Sequence, residues 1–165
     1  MDSTAKPVRV ELFVRSLCPV DATQRQNHLI DQLQALENAD RIDDLSILIW
    51  GNRIAPSLAR QTADGRNLLD RLAMFERWEG DSDASLDAFD WRHAMTNMAS
   101  EESITVIALP TVALAEYVDG DLHHVAPCTR DGTVHRVSDR ITRLAETAQP
   151  TDATEDERVS VLDRQ

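Results

Sequence analysis

The chain has 165 residues, 42% of them hydrophobic, which fits one globular domain with its own core. It carries 29 acidic residues against 17 lysines and arginines, and the resulting net charge of −12 disfavours non-specific binding to nucleic acid. No apolar run is long enough to cross a bilayer, and the N-terminus lacks the apolar core of a signal peptide. The sequence therefore predicts a cytoplasmic protein without a membrane span.

The basic residues are almost all arginines, and Lys6 is the only lysine. An acidic chain with so little lysine resembles the proteins of haloarchaea, where carboxylates stay hydrated and molar salt screens their mutual repulsion. The resemblance implies that the acidity is an adaptation to salt rather than a binding signal, and that folding depends on salt.

The first half of the chain predicts a strand–helix–strand crossover. Residues 8–17 alternate with the period of a strand, and residues 22–37 then repeat apolar positions at helical spacing. Residues 45–50 form a short continuous apolar run, typical of a parallel sheet that is covered on both faces. We therefore predict two parallel strands with the first one central.

The second half predicts a helix, a hairpin and a last helix. Asp64 caps a helix over residues 66–79, after a loop over residues 52–63 that contains Pro56. Residues 80–103 are predicted to be an acidic, irregular insert. Strands follow over residues 104–117 and 122–126, joined across Asp119-Gly120, and a helix covers residues 134–147. One domain thus spans residues 8–147, between a flexible N-terminus (1–7) and an acidic tail (148–165).

Two short motifs lie at one end of the predicted sheet. Cys18-Pro19-Val20-Asp21 stands where the first strand ends and its helix begins, and Leu109-Pro110-Thr111 opens the hairpin. With the β-α-β-α-β-β-α order, these motifs resemble the thioredoxin-like fold over about residues 8–144. The resemblance implies an α/β protein whose mixed sheet is flanked by helices, with thiol chemistry at this end.

Cys18 is the candidate nucleophile that this resemblance implies. A cysteine at a helix N-terminus meets unpaired N–H groups and the positive end of the helix dipole, which favour the thiolate. Pro19 suits the first helical turn, since an N–H there has no partner anyway. Asp21 stands where the family has its second cysteine, and its charge opposes thiolate formation. A single-cysteine, glutaredoxin-like mechanism is compatible with aspartate at this position, whereas a local dithiol mechanism is not.

Cys128 is the candidate resolving thiol. In the thioredoxin-like arrangement it lies one strand away from Cys18, at a distance on the order of 10 Å. Because a disulfide needs Cα atoms within about 7 Å, pairing requires loop movement. The alternative is that both cysteines are buried, unreactive thiols.

Leu109-Pro110-Thr111 resembles the cis-proline loop of the same family. The resemblance implies a backbone edge that holds an extended protein or peptide partner, with Pro19, Asp21, Leu109, Pro110 and Thr111 as binding residues. The sequence leaves open whether the bond before Pro110 is cis or trans.

No motif for a metal or a cofactor occurs, and we expect neither. His123 and His124 are adjacent in a predicted strand, so they face opposite ways and do not chelate one ion together. A metal site would need His124, Cys128 and a third ligand. The chain has no H-E-x-x-H or repeated C-x-x-C spacing and no glycine-rich phosphate loop.

Three functions remain open. The first is a thioredoxin-like binding module at the Cys18/Pro110 end, non-catalytic or weakly redox-active. The second is a single-cysteine thiol–disulfide oxidoreductase or redox sensor. The third is a helix-turn-helix DNA-binding regulator, because residues 23–44 are similar to one helix and the wing entry of small archaeal winged-helix proteins. Only residues 38–44 separate that helix from the next strand, too few for a recognition helix. The sequence therefore favours a protein or peptide partner over nucleic acid, and it does not define the oligomeric state.

Overall fold

The computed structural model describes residues 5–17, 24–96 and 103–147, and within them the protein is a mixed α/β fold with several sheets and four helices. In chain order the elements are β1 (Val8–Val14), α1 (Gln24–Asn38), β2 (Asp44–Ile49), β3 (Arg53–Ile54), α2 (Pro56–Ala59), α3 (Ala63–Asp81), β4 (Asp90–Thr96), β5 (Ser103–Ala108), β6 (Val112–Val118), β7 (Asp121–Ala126), β8 (Cys128–Arg130), β9 (Thr133–His135) and α4 (Val137–Thr147). No described helix is both long and apolar enough to cross a membrane.

The main sheet has the strand order β2-β1-β6-β7. β1 and β2 are parallel, in register from Arg9 with Asp44 to Val14 with Ile49, and β6 is antiparallel to both β1 and β7. The prediction of two parallel strands around a helical crossover, with the first strand central, is confirmed.

Helices cover the main sheet on both faces, which explains why β1 is buried along most of its length. Val10, Leu12 and Val14 belong to a core cluster shared with α1 and α4. Phe13 belongs to the opposite cluster, where its ring stacks on Trp50 at 4.7 Å and meets Phe75 of α3 edge-on at 5.7 Å. The alternation of these side chains is the two-residue period of a strand.

The predicted hairpin turn is confirmed, but the strand before it is shorter than predicted. Asp119 and Gly120 have φ values of 54° and 87°, the left-handed pair that a tight two-residue turn requires. The predicted strand over residues 104–117 is divided at Pro110, since proline has no N–H to continue a ladder. β5 pairs instead with β3 and β4 in a second sheet, in the order β3-β5-β4.

The segment predicted to be an irregular insert contributes to the core. α3 extends to Asp81, and Ala84, Leu86 and Phe89 after it are buried among the aromatic side chains. β4 then forms a long antiparallel pair with β5. The acidic residues between these apolar positions are exposed and obscure the buried pattern in the sequence.

Two further predictions differ from the structure near the helices. Residues 52–63, predicted to be a loop, contain β3 and the single turn α2. The last helix begins at Val137, because Thr133–His135 forms β9 and pairs with β8. The structure therefore confirms a mixed α/β fold. It does not confirm the predicted β-α-β-α-β-β-α order or a thioredoxin-like topology. The acidic tail and residues 1–4 lie outside the described residues.

Candidate functional site

The cysteine motif predicted to be the centre of the site cannot be placed, since Cys18, Pro19 and Asp21 lie outside the described residues. Leu109, Pro110 and Thr111 are described, and Pro110 and Thr111 line a cavity of about 540 Å³ between α1 and α4. The described cis peptide bond precedes Pro127, so the bond before Pro110 is trans.

The backbone around Pro110 is already hydrogen-bonded within the chain. Trp50 Nε1 donates to the carbonyl of Pro110 at 3.3 Å, and the N–H of Arg15 donates to the carbonyl of Thr111 at 3.1 Å. The N–H of Leu109 donates to the carbonyl of Asn52 at 3.0 Å. An extended partner would have to compete with these bonds, and binding at Leu109, Pro110 and Thr111 stays a prediction.

Cys128 is buried, with 2% of its surface exposed, and burial raises the pKa of its thiol against the opposing charges of Arg130 and Arg140. Its Sγ lies 3.9 Å from Nε2 of His124, so the two side chains do converge. Among the described residues, no third histidine, cysteine or carboxylate joins them to make a metal-binding group. The role of Cys128 as a resolving thiol stays a prediction.

His124 should make the stability of the protein depend on pH. Burial, assisted by the charges of Arg140 and Arg130, lowers the pKa of His124 to about 3. The unfolded chain takes up this proton near pH 6.5 and the folded chain only near pH 3, so stability is lost as pH falls through that window. We expect a loss of about 1–2 kcal/mol at pH 4.5, after discounting for the solvent that reaches the ring.

Urea unfolding at pH 7 and pH 4.5 measures this effect. His124→Gln cannot titrate and should show a smaller loss than the wild type. His28→Gln, on the exposed face of α1, should show the wild-type loss. An unchanged pH dependence in His124→Gln would contradict the assignment.

A buried carboxylate fixes α3 on the main sheet. Glu11 of β1 accepts hydrogen bonds from Arg71 of α3 at 2.7 and 2.9 Å, from the Tyr117 hydroxyl at 2.9 Å and from Arg9 at 3.0 Å. Burial alone would raise the pKa of Glu11, but the hydrogen bonds from Arg71 and Tyr117 and the charges of Arg71 and Arg9 lower it overall. The carboxylate therefore stays ionised, and α3 is held in one orientation.

Two helices, α2 and α3, are joined by a three-residue turn over residues 60–62. Pro56 occupies the first turn of α2, where its missing N–H costs nothing. Thr62, rather than the predicted Asp64, caps α3: its hydroxyl accepts from the N–H of Gly65 at 3.0 Å. Gly65 lies against α2 so closely that a Cβ there would be 2.1 Å from the carbonyl oxygen of Ala59.

The turn and the start of α3 present polar side chains to solvent. Arg60, Arg66 and Asn67 are exposed, and with Leu69 and Asp70 they line an open recess of about 350 Å³. Arg66 donates from its guanidinium to the carbonyl of Arg60 at 3.0 Å, which orders the turn between the helices. Arginine and asparagine are the side chains that most often read guanine and adenine edges in the major groove.

A family model described as a helix-turn-helix domain matches residues 2–149, nearly the whole chain. The protein therefore belongs to this helix-turn-helix domain family. No curated protein and no solved structure matches the chain. Membership of the family supports a helix-turn-helix DNA-binding regulator, the third of the functions considered from the sequence.

The family match corrects the identification as a thioredoxin-like redox protein. It also favours nucleic acid over the peptide partner expected from the sequence. The sequence argument against a helix-turn-helix considered only residues 38–44, which do lead from α1 into β2 without a recognition helix; α2 and α3 are a second pair of helices, joined by a short turn. α2 was missed because four residues are too few to show helical periodicity, although Pro56 before Ser57-Leu58-Ala59 is a helix-start signal.

Proposed function

We propose that this protein is a DNA-binding regulator that contacts the duplex through α2 and α3, with the N-terminal half of α3 facing the major groove. The observation that carries the proposal is the α2–turn–α3 unit, with Arg66 and Asn67 exposed on the first turns of its second helix. In helix-turn-helix proteins the N-terminal residues of the second helix contact base edges.

The side chains on this surface suit different contacts with DNA. Arg66 is suited to a bidentate contact with guanine, and Asn67 to one with adenine. Arg60, in the turn, is suited to a backbone phosphate, which positions the protein without reading sequence. Asp64 and Asp70 are exposed on the same turns and repel phosphates. Specific base contacts should therefore contribute a large share of the affinity, particularly at high salt, where contacts with backbone phosphates contribute less to binding.

The fixed position of α3 supports this role. Glu11 holds Arg71 in the middle of the helix, and Gly65 holds its N-terminal end against α2. A reading helix has to be rigid because a bidentate contact depends on the orientation of the side chain. The two anchors supply that rigidity on either side of Arg66 and Asn67.

The test is selection from a random duplex library, followed by anisotropy titrations of the enriched sequence at fixed salt. Arg66→Ala should weaken binding by about 5- to 150-fold, the range of one lost bidentate contact, and should relax the preference at one base pair. Arg77→Ala, exposed near the other end of α3, removes the same charge and should change affinity less than threefold. Failure to enrich any sequence, or equal losses in both variants, would refute the proposal.

A further inference from the structure

A basic cavity lies away from the α2–α3 surface, between α4 and the strands β7 to β9. It has a volume of about 390 Å³, within the size range of small-molecule sites. Its lining contains three arginines and three histidines against one aspartate: Arg130, Arg140, Arg143, His123, His124, His135 and Asp139. In a chain with a net charge of −12, the arginines of this lining still outnumber its aspartate when Arg140 is counted as paired with Glu116, and this local positive charge attracts anions.

Arg130 has an unsatisfied donor in this cavity wall. Its Nε is buried and has no hydrogen-bond partner among the described residues. Buried donors of this kind are nearly always paired with protein or ordered water, so this one marks Arg130 as a residue whose hydrogen bonding the described residues leave incomplete. An anionic oxygen in the cavity would lie beside a guanidinium whose fork is suited to a phosphoryl group.

Arg140 is fixed in position by a partner on the main sheet. Its Nε donates to the buried carboxylate of Glu116 at 2.7 Å, and this pair neutralises part of the charge. Arg130 on β8 and Arg143 on α4 face the same cavity from two different elements. Donors that converge from two sides suit a compact group with several oxygens better than a single carboxylate.

We propose that this cavity binds a small phosphorylated molecule, with Arg130 and Arg143 contacting the phosphoryl oxygens and the histidines donating hydrogen bonds. A small molecule is favoured over a DNA backbone because Arg130 and Arg140 are half-buried in a concave wall. The exposed Arg60 and Arg66, by contrast, lie on the open turn between α2 and α3.

The cavity is physically joined to α3. Trp78 of α3 donates from Nε1 to the carbonyl of His123 at 3.2 Å, and its ring meets the His124 ring edge-on at 5.5 Å. A ligand that moves either histidine therefore acts on the helix that we propose reads DNA. This regulatory consequence rests on the proposed function, whereas anion binding in the cavity does not.

Isothermal titration calorimetry with inorganic phosphate and pyrophosphate, at constant molar KCl, tests the binding. Pyrophosphate should bind more tightly than phosphate because it offers more oxygens to the same arginines. Arg130→Gln and Arg143→Gln should each weaken pyrophosphate binding at least tenfold. Arg136→Gln removes the same charge just outside this cavity and should leave binding unchanged. Thermal melts show whether each variant is folded, and the exposed Arg143 gives a second variant if Arg130→Gln does not fold.

Three outcomes would overturn the proposal. One is the absence of binding heat with either probe, and another is an equal loss in all three arginine variants. The third is competitive displacement of pyrophosphate by random duplex DNA in the Arg66→Ala background, which would make the cavity part of a DNA-backbone contact. Because DNA binding is measured separately with Arg66→Ala, either proposal can fail without the other.

Discussion

Replacing Gly65 with alanine should destabilise the protein by roughly 2–4 kcal/mol, whereas the same change in an ordinary helix interior is stabilising. The added Cβ would be 2.1 Å from the carbonyl oxygen of Ala59 and 2.8 Å from its Cα. Both contacts are with backbone, so no flexible side chain can move aside. α2 would have to separate from α3, and we expect the affinity for the selected DNA to fall with it.

Gly80 provides a matched control on the same helix. A Cβ at Gly80 would meet nothing within 4 Å, so Gly80→Ala should stabilise the protein by about 0.5–1 kcal/mol through the higher helix propensity of alanine. Urea unfolding of both variants in molar KCl gives the comparison. Stabilisation by both changes would show that α2 does not lie tightly against α3.

Replacing Glu11 with glutamine should cost roughly 2–4 kcal/mol of unfolding free energy, because a partly buried arginine loses its carboxylate. Only 1% of the surface of Glu11 is exposed, and its oxygens accept from Arg71, Tyr117 and Arg9. Glutamine keeps the shape of the side chain but presents an NH₂ group where these donors need an acceptor. The connection between β1 and α3 would weaken, and DNA affinity should fall as α3 loses its fixed orientation.

Glu76→Gln is the control for this variant. Glu76 lies on the exposed face of the same helix, so its change should alter stability by less than about 0.5 kcal/mol. The measurement is again urea unfolding, with the DNA titration as a second readout. A loss in Glu11→Gln no larger than in Glu76→Gln would mean that the buried network does not anchor α3.

The parts of the fold that could be predicted from sequence are those with a strong local signal. The apolar run before Trp50 and the alternation in β1 predict parallel central strands, and Asp119-Gly120 predicts a tight turn. The shorter elements carry weaker signals. β3 has two residues and α2 has four, and Thr62 and Asp64 are both good helix caps two positions apart.

The candidate site was harder to predict than the fold, for a physical reason. An order of strands and helices is shared by unrelated families, so Cys18 and Pro110 in that order suggested thiol chemistry that the family match does not support. The basic cavity is formed by β7, β8, β9 and α4, and its arginines become neighbours only when β8 pairs with β9. No local spacing in the sequence signals that arrangement.

The central position of β1 has a consequence for how the chain is made. Val8 pairs with Val118, so β1 cannot complete its sheet until about a hundred further residues have been synthesised after it. At bacterial-type elongation speeds that interval is on the order of ten seconds. During it, β1 has β2 on one side and an unpaired edge on the other, and the ring of Phe13 lacks the covering that α3 and β6 later provide. The nascent chain therefore passes through a period in which one edge of this buried strand is open to pairing with other chains.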